Sequence, residues 1–376
     1  MALLDTVDPQ GLEEFSVVFT DRSLNSMSGA FQGVMRDIHA MLCEVYGAAS
    51  AVVIPGGGSF AMEAVARQFA RERDVLVVRN GWFSYRWTQI FEAGGFAGET
   101  HVIMAKRSGN APRAPFAPPP IEEVVAKIRE VKPEAVFAPH VETSSGIILP
   151  DGYIAAMASA AHEVGALMVL DCIASGCIWV DMAATGVDVL ISAPQKGWSA
   201  SPSAGVVVMG PLAEARLAET NSNSFAVDLK KWRAMMAAYE GGGHAYHATM
   251  PTDALVGFRD AMLETKAMGF DAAKAAQWDL GRQVRALLAA RGVASVAAEG
   301  FTAPGVVVSF TEDPEIQTGA KFRTAGYQIA AGVPLQVGEG ADYRSFRLGL
   351  FGLDKLKDVP ATVARLTAAL EAAMPA

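Results

Sequence analysis

The sequence predicts an α/β protein: a large domain on a seven-stranded, mostly parallel sheet flanked by helices, followed by a smaller C-terminal α+β domain. Three observations carry this. From about residue 50 to 210, short β-branched runs alternate with longer helical patterns, as βαβ units require. At 376 residues the chain exceeds one ordinary core, and its 51% apolar residues are enough to fill two. After Val256 the rhythm changes to a long helical pattern followed by sparser strands.

In chain order the candidate strands of the large domain are Val52–Ile54, Val75–Val78, Val102–Met104, Ala135–Ala138, Leu167–Leu170, Val187–Ile191 and Gly205–Met209. Helical patterns between them include Ala61–Arg71, Ile121–Glu130 and Tyr153–Val164, so both faces of the sheet have a cover. The Pro-rich stretch Ala111–Pro120 reads as an extended surface connection, and Gly241-Gly242-Gly243 as a break near the domain's end. A helical pattern from Val256 to about Arg291 leads to strands Val306–Phe310 and Ser345–Leu350, separated by helical Lys321–Ala331. The expected division is an N-terminal segment 1–14, a large domain 15–257 and a small domain 258–376.

Ligands of open α/β sheets bind outside the carboxyl ends of the strands. Four unusual sequences fall there. Pro55-Gly56-Gly57-Gly58-Ser59 joins the first strand to a helix, and glycines before a helix N-terminus let an anion approach backbone N–H groups. Gly56-x-Gly58-x-x-Ala61 also matches a dinucleotide fingerprint, but the next strand ends in Arg79-Asn80 where that fingerprint wants an acid. A Gly-rich turn without ligand is the bland reading.

Asp171 ends the strongly apolar run Leu167–Leu170, so it needs a cationic or hydrogen-bonding partner; a turn cap and a protonated ring nitrogen both qualify. Lys196, in Ser192-Ala193-Pro194-Gln195-Lys196-Gly197, follows a buried-looking strand and precedes small residues. Most lysines are merely solvated, but one desolvated there becomes a nucleophilic amine. Pro139-His140-Val141-Glu142-Thr143-Ser144-Ser145-Gly146 offers His-x-Glu, yet the Pro-Cys-x-x-Cys partner of zinc deaminases is missing, so no metal is expected. Its hydroxyls suit hydrogen bonds to a cofactor instead.

Together these residues resemble the class V aminotransferases, pyridoxal 5′-phosphate (PLP) enzymes of fold type I, in the branch of alanine:glyoxylate and serine:glyoxylate (or serine:pyruvate) aminotransferases. The likeness spans roughly 45 to 370 and is strongest in Leu170-Asp171-Cys172-Ile173-Ala174-Ser175, Ser192-Ala193-Pro194-Gln195-Lys196 and Phe346-Arg347-Leu348-Gly349-Leu350. It implies that Lys196 holds the cofactor as a Schiff base and shuttles the proton, while Asp171 keeps the pyridine nitrogen protonated. By the same resemblance Gly57, Gly58 and Ser59 cradle the phosphate with Gln195 nearby, and Thr143 bonds the phenolic oxygen. Phe83 stacks on the ring, with Trp82 or Tyr85 as substitutes, and Ile173 packs on its other face.

Tyr246-His247-Ala248-Thr249 matches a loop whose Tyr246 and Thr249 reach the phosphate of a neighbouring subunit, which implies a homodimer with shared sites. Arg347 corresponds to the residue that grips the substrate carboxylate, with Arg344 as the fallback. Alternation puts Phe346, Leu348 and Leu350 on one face and Arg347 on the other. The expected reaction moves an amino group between an alanine- or serine-type amino acid and a glyoxylate- or pyruvate-type 2-oxo acid, in ping-pong fashion. At the family's Pro-Gly-Pro and His-Arg-Ser positions the chain has Phe19-Thr20-Asp21-Arg22-Ser23-Leu24-Asn25 and Ser26-Met27-Ser28, so substrate choice stays open.

Rival chemistries on this sequence are a PLP lyase of the desulfurase type and a nicotinamide dehydrogenase. The first lacks its histidines, since Phe83 and Gln195 occupy those positions, and no Cys follows Cys177. A net charge of −9 offers no global attraction for nucleic acid or anionic membrane. Three cysteines, Cys43, Cys172 and Cys177, are too few for a disulfide framework. With no apolar run of about 20 residues and no basic, apolar leader at Met1-Ala2-Leu3-Leu4-Asp5, the expectation is a cytoplasmic protein.

Overall fold

A computed structural model describes residues 7–375; the start of the expected N-terminal segment 1–14 lies outside the described residues. All seven expected strands of the large sheet form. They are β1 (Ser50–Pro55), β2 (Val75–Arg79), β3 (Thr100–Met104), β4 (Ala135–Pro139), β5 (Leu167–Asp171), β6 (Val189–Ser192) and β7 (Ala204–Met209). Their spatial order is β1-β7-β6-β5-β4-β2-β3. The run from β6 to β3 is parallel, while β7 is antiparallel to both β6 and β1. Hence β1 points the same way as the parallel strands, and the residues after β1, β2, β4, β5 and β6 share one edge.

Helices cover both faces: α1 (Gly29–Tyr46), α2 (Gly58–Phe69), α3 (Trp82–Gly94), α4 (Ile121–Val131), α5 (Asp151–Glu163), α6 (Pro211–Glu219), α7 (Leu229–Glu240) and α8 (Thr252–Met268). That is why every residue of β4, β5, β6 and β7 is buried, whereas edge strand β3 is only half-buried. α1, not singled out from the sequence, is capped by the Ser28 hydroxyl and packs on α7 and α8.

The small domain differs from expectation in two places. The single helical pattern from Val256 to Arg291 is two helices, α8 and α9 (Phe270–Ala290), because Gly269 adopts a φ of 90° and turns the chain. The expected boundary at 257/258 therefore falls inside α8. Lys321–Ala331 is not one helix: it is helical only over Ala320–Thr324, turns at Gly326 with φ 87°, and ends in strand β9 (Ala330–Ala331). There it pairs with the middle strand of a three-stranded sheet of β8 (Val306–Phe310), β10 (Ser345–Gly349) and β9. Pairing with β10 overrides the local helical preference. α10 (Val359–Ala373) packs on α9.

The Pro-rich stretch is also more than a surface connection. Phe116 is buried, its N–H donates to the Val296 carbonyl at 2.7 Å, and its carbonyl accepts from Ala298 N–H at 2.8 Å. Large-domain chain thus forms a strand-like clip on the small domain. No helix among the described residues is long and apolar enough to cross a membrane.

Candidate active site

The shared strand edge gathers most of the residues singled out from the sequence. β5 delivers Asp171 in neighbouring register to β6, since Ile191 faces Asp171 across the parallel pair. The Asp171 carboxyl is buried and accepts one hydrogen bond, from the Ile173 N–H at 2.9 Å. Burial, larger than every other influence, pushes its pKa up to about 7; Glu142 adds to the rise, while Arg86 and Lys196 oppose it.

Lys196 stands four residues past the end of β6 in a turn that the surroundings hold rigidly. Gly197 abuts the backbone of Gly176, its carbonyl accepts from the Cys177 thiol at 3.3 Å, and the next residue, Trp198, is wholly buried. Trp198 sits among Trp179, Tyr46, Phe258 and Phe270. The ammonium lies 5.2 Å from the Phe351 ring centroid. Burial lowers the pKa of Lys196, and the positive charge of Arg347 lowers it further.

The turn before α2 is built as a cradle. A Cβ on Gly58 would strike the Ile173 side chain, whereas one on Gly57 would meet nothing within 4 Å. Ile173 therefore braces the turn from one side and leaves the Gly57 side open. Ser59, in the first turn of α2, accepts a hydrogen bond from Arg86 Nη1 at 2.8 Å. The buried amide oxygen of Gln195 has no partner among the described residues.

Phe83 starts α3 and is half-buried, not a core aromatic. Two guanidiniums face its ring: Arg86 at 5.4 Å and Arg347 at 5.5 Å from the centroid. Trp82 and Tyr85 pair with each other at 5.9 Å instead, and Arg79 covers Tyr85. Along β10 and just past its end, Phe346, Leu348 and Leu350 are buried and Arg347 lies on the other face, as alternation requires. Its Nε donates to the Ala331 carbonyl at 2.7 Å. Burial, the main cause, lowers the Arg347 pKa. Arg344 is exposed.

The segment after β4 corrects one expectation. Ser144 and Ser145 do not offer free hydroxyls to a ligand: Ser144 Oγ donates to Glu142 Oε1 at 2.7 Å and accepts from Trp82 N–H at 2.8 Å, while Ser145 donates to the Asn80 carbonyl. Only Thr143, half-buried, has no hydrogen bond from its hydroxyl among the described residues. Glu142 is wholly buried and caps α3, accepting from the N–H groups of Phe83 (3.1 Å) and Ser84 (2.8 Å) and from the Ser84 hydroxyl (2.7 Å). Its carboxylate suits the positive end of that helix, and no cluster of metal-ligating side chains exists among the described residues. His140 bonds Ser175 Oγ at 2.7 Å, and burial pushes its pKa down to about 3, which keeps it neutral.

Glu142 and Arg86 were missed as site-shaping residues. The signal for Arg86 was its spacing, three residues after Phe83 on a helix, which puts both on one face. Tyr246 and Thr249 are held together, hydroxyl to hydroxyl at 3.1 Å, and Tyr246 is exposed rather than joined to this cluster.

These features fit a flat, anionic, aldehyde-bearing cofactor. A buried carboxyl with a single N–H partner, a desolvated amine, a glycine turn with one open side and a half-buried aromatic converge on one edge.

The family model for aminotransferase class V matches residues 12–313. A 2-aminoethylphosphonate–pyruvate transaminase from Paraburkholderia phymatum is 29% identical over 357 residues, covering 92% of this chain and 90% of the relative. Among solved structures, alanine–glyoxylate aminotransferase from Nostoc sp. superposes with a TM-score of 0.78 at 22% identity, over 94% of this chain and 89% of its own. Ureidoglycine–glyoxylate aminotransferase from Bacillus subtilis gives 0.75 at 23%, over 92% and 85%. With the sheet, the glycine turn and the strand-end carboxyl and amine in place, the chain belongs to the class V aminotransferases, PLP-dependent enzymes that act on amino acids and oxo acids.

Proposed function

We propose that Lys196 and Asp171 are the catalytic pair of a transaminase working between an alanine- or serine-type amino acid and a glyoxylate- or pyruvate-type 2-oxo acid. The observation that carries this is the placement of both at the shared strand edge, a buried carboxyl at the end of β5 raised to about 7 and a half-buried amine just past β6 whose pKa burial lowers. When bound, PLP supplies an aldehyde that condenses with amines and a ring that draws off electrons. Lys196 Nζ, whose pKa burial lowers, would hold the aldehyde carbon and would move a proton at its own nitrogen. Asp171 would face the ring nitrogen and keep it protonated, a partner that would offset the cost of burying the carboxylate.

Gly57, Gly58, Ser59 and Gln195 would hold the phosphate, Thr143 the phenolic oxygen, and Phe83 and Ile173 the two ring faces. Arg347, fixed through Nε, keeps its two terminal nitrogens for a substrate carboxylate. Tyr246 and Thr249 would complete the phosphate site of a second subunit. Support for that homodimer is the exposure of Leu12, Phe15, Val17, Phe225 and Tyr246, apolar surface of the kind partners cover. The large domain, about 15–257, would then carry the cofactor, the small domain 258–376 the carboxylate clamp, and the reducing cytoplasm suits the free cysteines.

A second reading of the amino donor follows from the Paraburkholderia relative: 2-aminoethylphosphonate, with pyruvate as acceptor. The test is to mix the PLP form with alanine, serine, aspartate and 2-aminoethylphosphonate and follow conversion to the pyridoxamine form in the visible spectrum. Conversion by alanine or serine supports the first reading, and by the phosphonate alone the second. Borohydride reduction and peptide mapping should find the pyridoxyl label on Lys196; a label on another lysine sinks the assignment.

A further inference from the structure

The groups assigned to the cofactor phosphate, Gly57, Gly58, Ser59 and Gln195, with Tyr246 and Thr249 from a partner, are all uncharged. A phosphate monoester carries roughly −1.5 to −2 charge at neutral pH. The N-terminus of α2 offers only about half a positive charge. A cation is missing from that set, and Lys196 is committed elsewhere.

Arg86 stands where one is needed. Its Nη1 donates to Ser59 Oγ at 2.8 Å, in the first turn of α2, and its guanidinium carbon lies 5.4 Å from the Phe83 ring centroid. No Asp or Glu forms an ion pair with it among the described residues. Its positive charge acts on the titration of both Asp171 and Lys196. Glu142, by capping α3, fixes the helix turn from which Arg86 projects.

We propose that Arg86 is a cofactor-binding residue of the phosphate end: it orients the Ser59 hydroxyl and supplies the positive charge that the glycine turn lacks. The remaining guanidinium nitrogens are free to donate to a phosphate oxygen, while the Phe83 face holds the planar group in place. This rests on the assignment of Lys196 and the Gly56–Ser59 turn to the cofactor.

The test measures equilibrium binding of PLP and of pyridoxal, which lacks the phosphate, to cofactor-free wild type, Arg86→Lys and Arg86→Gln, with melting curves to verify folding. Inorganic phosphate is then used to compete with PLP. Expected is a PLP affinity weakened about ten- to hundred-fold in Arg86→Gln, with pyridoxal affinity changed less than about two-fold. Arg86→Lys should fall between, and phosphate should compete less well with the Gln variant. An unchanged ratio of PLP to pyridoxal affinity in either variant overturns the proposal. So does an equal loss for both ligands, which would make Arg86 a support for the ring through Phe83 alone. Should Arg86→Gln not fold, Arg86→Lys decides by the same ratio. Failure of the underlying assignment reads differently: wild type would then fail to take the pyridoxyl label on Lys196, and the proposal falls with it.

Discussion

Replacing Asp171 with Asn in the cofactor-free protein should stabilise it at neutral pH. The carboxyl is buried with one N–H partner, and burial raises its pKa from 3.8 to about 7. Between those values the folded protein binds a proton that the unfolded chain has released, so stability falls as pH rises through the window, and the full penalty is present above 7. At about 1.4 kcal/mol per pKa unit, the shift sets a ceiling of about 4 kcal/mol. Relaxation and water entry around an open site reduce it, so about 1–3 kcal/mol is expected at pH 8. Urea unfolding of both proteins from pH 4 to 8 is the assay. The advantage of the Asn variant should shrink to about half a kcal/mol at pH 4, where the folded carboxyl is protonated and the unfolded one, at its ordinary 3.8, is about half so. Adding PLP should reverse the order, because only a carboxylate gains by pairing with a protonated ring nitrogen. A pH-independent difference, or a wild type more stable at pH 8, refutes the reasoning.

Three further outcomes are expected. Arg347→Lys should raise KM about ten-fold for both amino donor and oxo acceptor, since an ammonium cannot make two parallel bonds to a carboxylate, while the PLP spectrum stays put; an effect on one substrate alone argues against a common clamp. Mixing inactive Lys196→Ala subunits with inactive Tyr246→Phe/Thr249→Ala subunits should restore activity, because one hybrid site then has all its parts; hybrids that form without rescue exclude a shared site. Glu142→Gln should cost about 1–3 kcal/mol and change the visible circular dichroism of bound PLP, because an amide nitrogen must face an N–H donor of α3; loss of stability with an unaltered dichroism would confine Glu142 to the scaffold.

Much of this architecture was legible because its physics is local. Seven β-branched runs became seven strands, and Asp171, Lys196 and the glycine turn fell on one edge because parallel strands all end there. The alternation around Arg347 survived intact. What could not be read depended on distant pairings. Nothing in Lys321–Ala331 announces that Ala330 will pair with Arg347, and a helical pattern running through Gly269 hides the φ of 90° adopted there. Ser144 and Ser145 look like ligand groups until the chain entering α3 arrives, with Trp82 N–H, 62 residues from Ser144 in sequence, donating to Ser144 and the Asn80 carbonyl accepting from Ser145. Glu142 was weighed as a metal ligand because the helix end that it neutralises is invisible in a linear pattern.

The clip at Phe116 bears on how tightly substrate can be held. Arg347 lies on β10 of the small sheet and Asp171 and Lys196 at the edge of the large one, so the span between them is a property of the seam, not of any single side chain. Two backbone hydrogen bonds and a buried ring at Phe116 join the halves before any substrate arrives, as do Ile148 to Phe301 and Ala303 to Gly146. A substrate entering such a cleft need not spend its binding energy on arresting a swinging domain. On the assignment proposed for Arg347, the seam acts as a calliper set in advance, favouring molecules whose carboxylate and reacting carbon already match its opening.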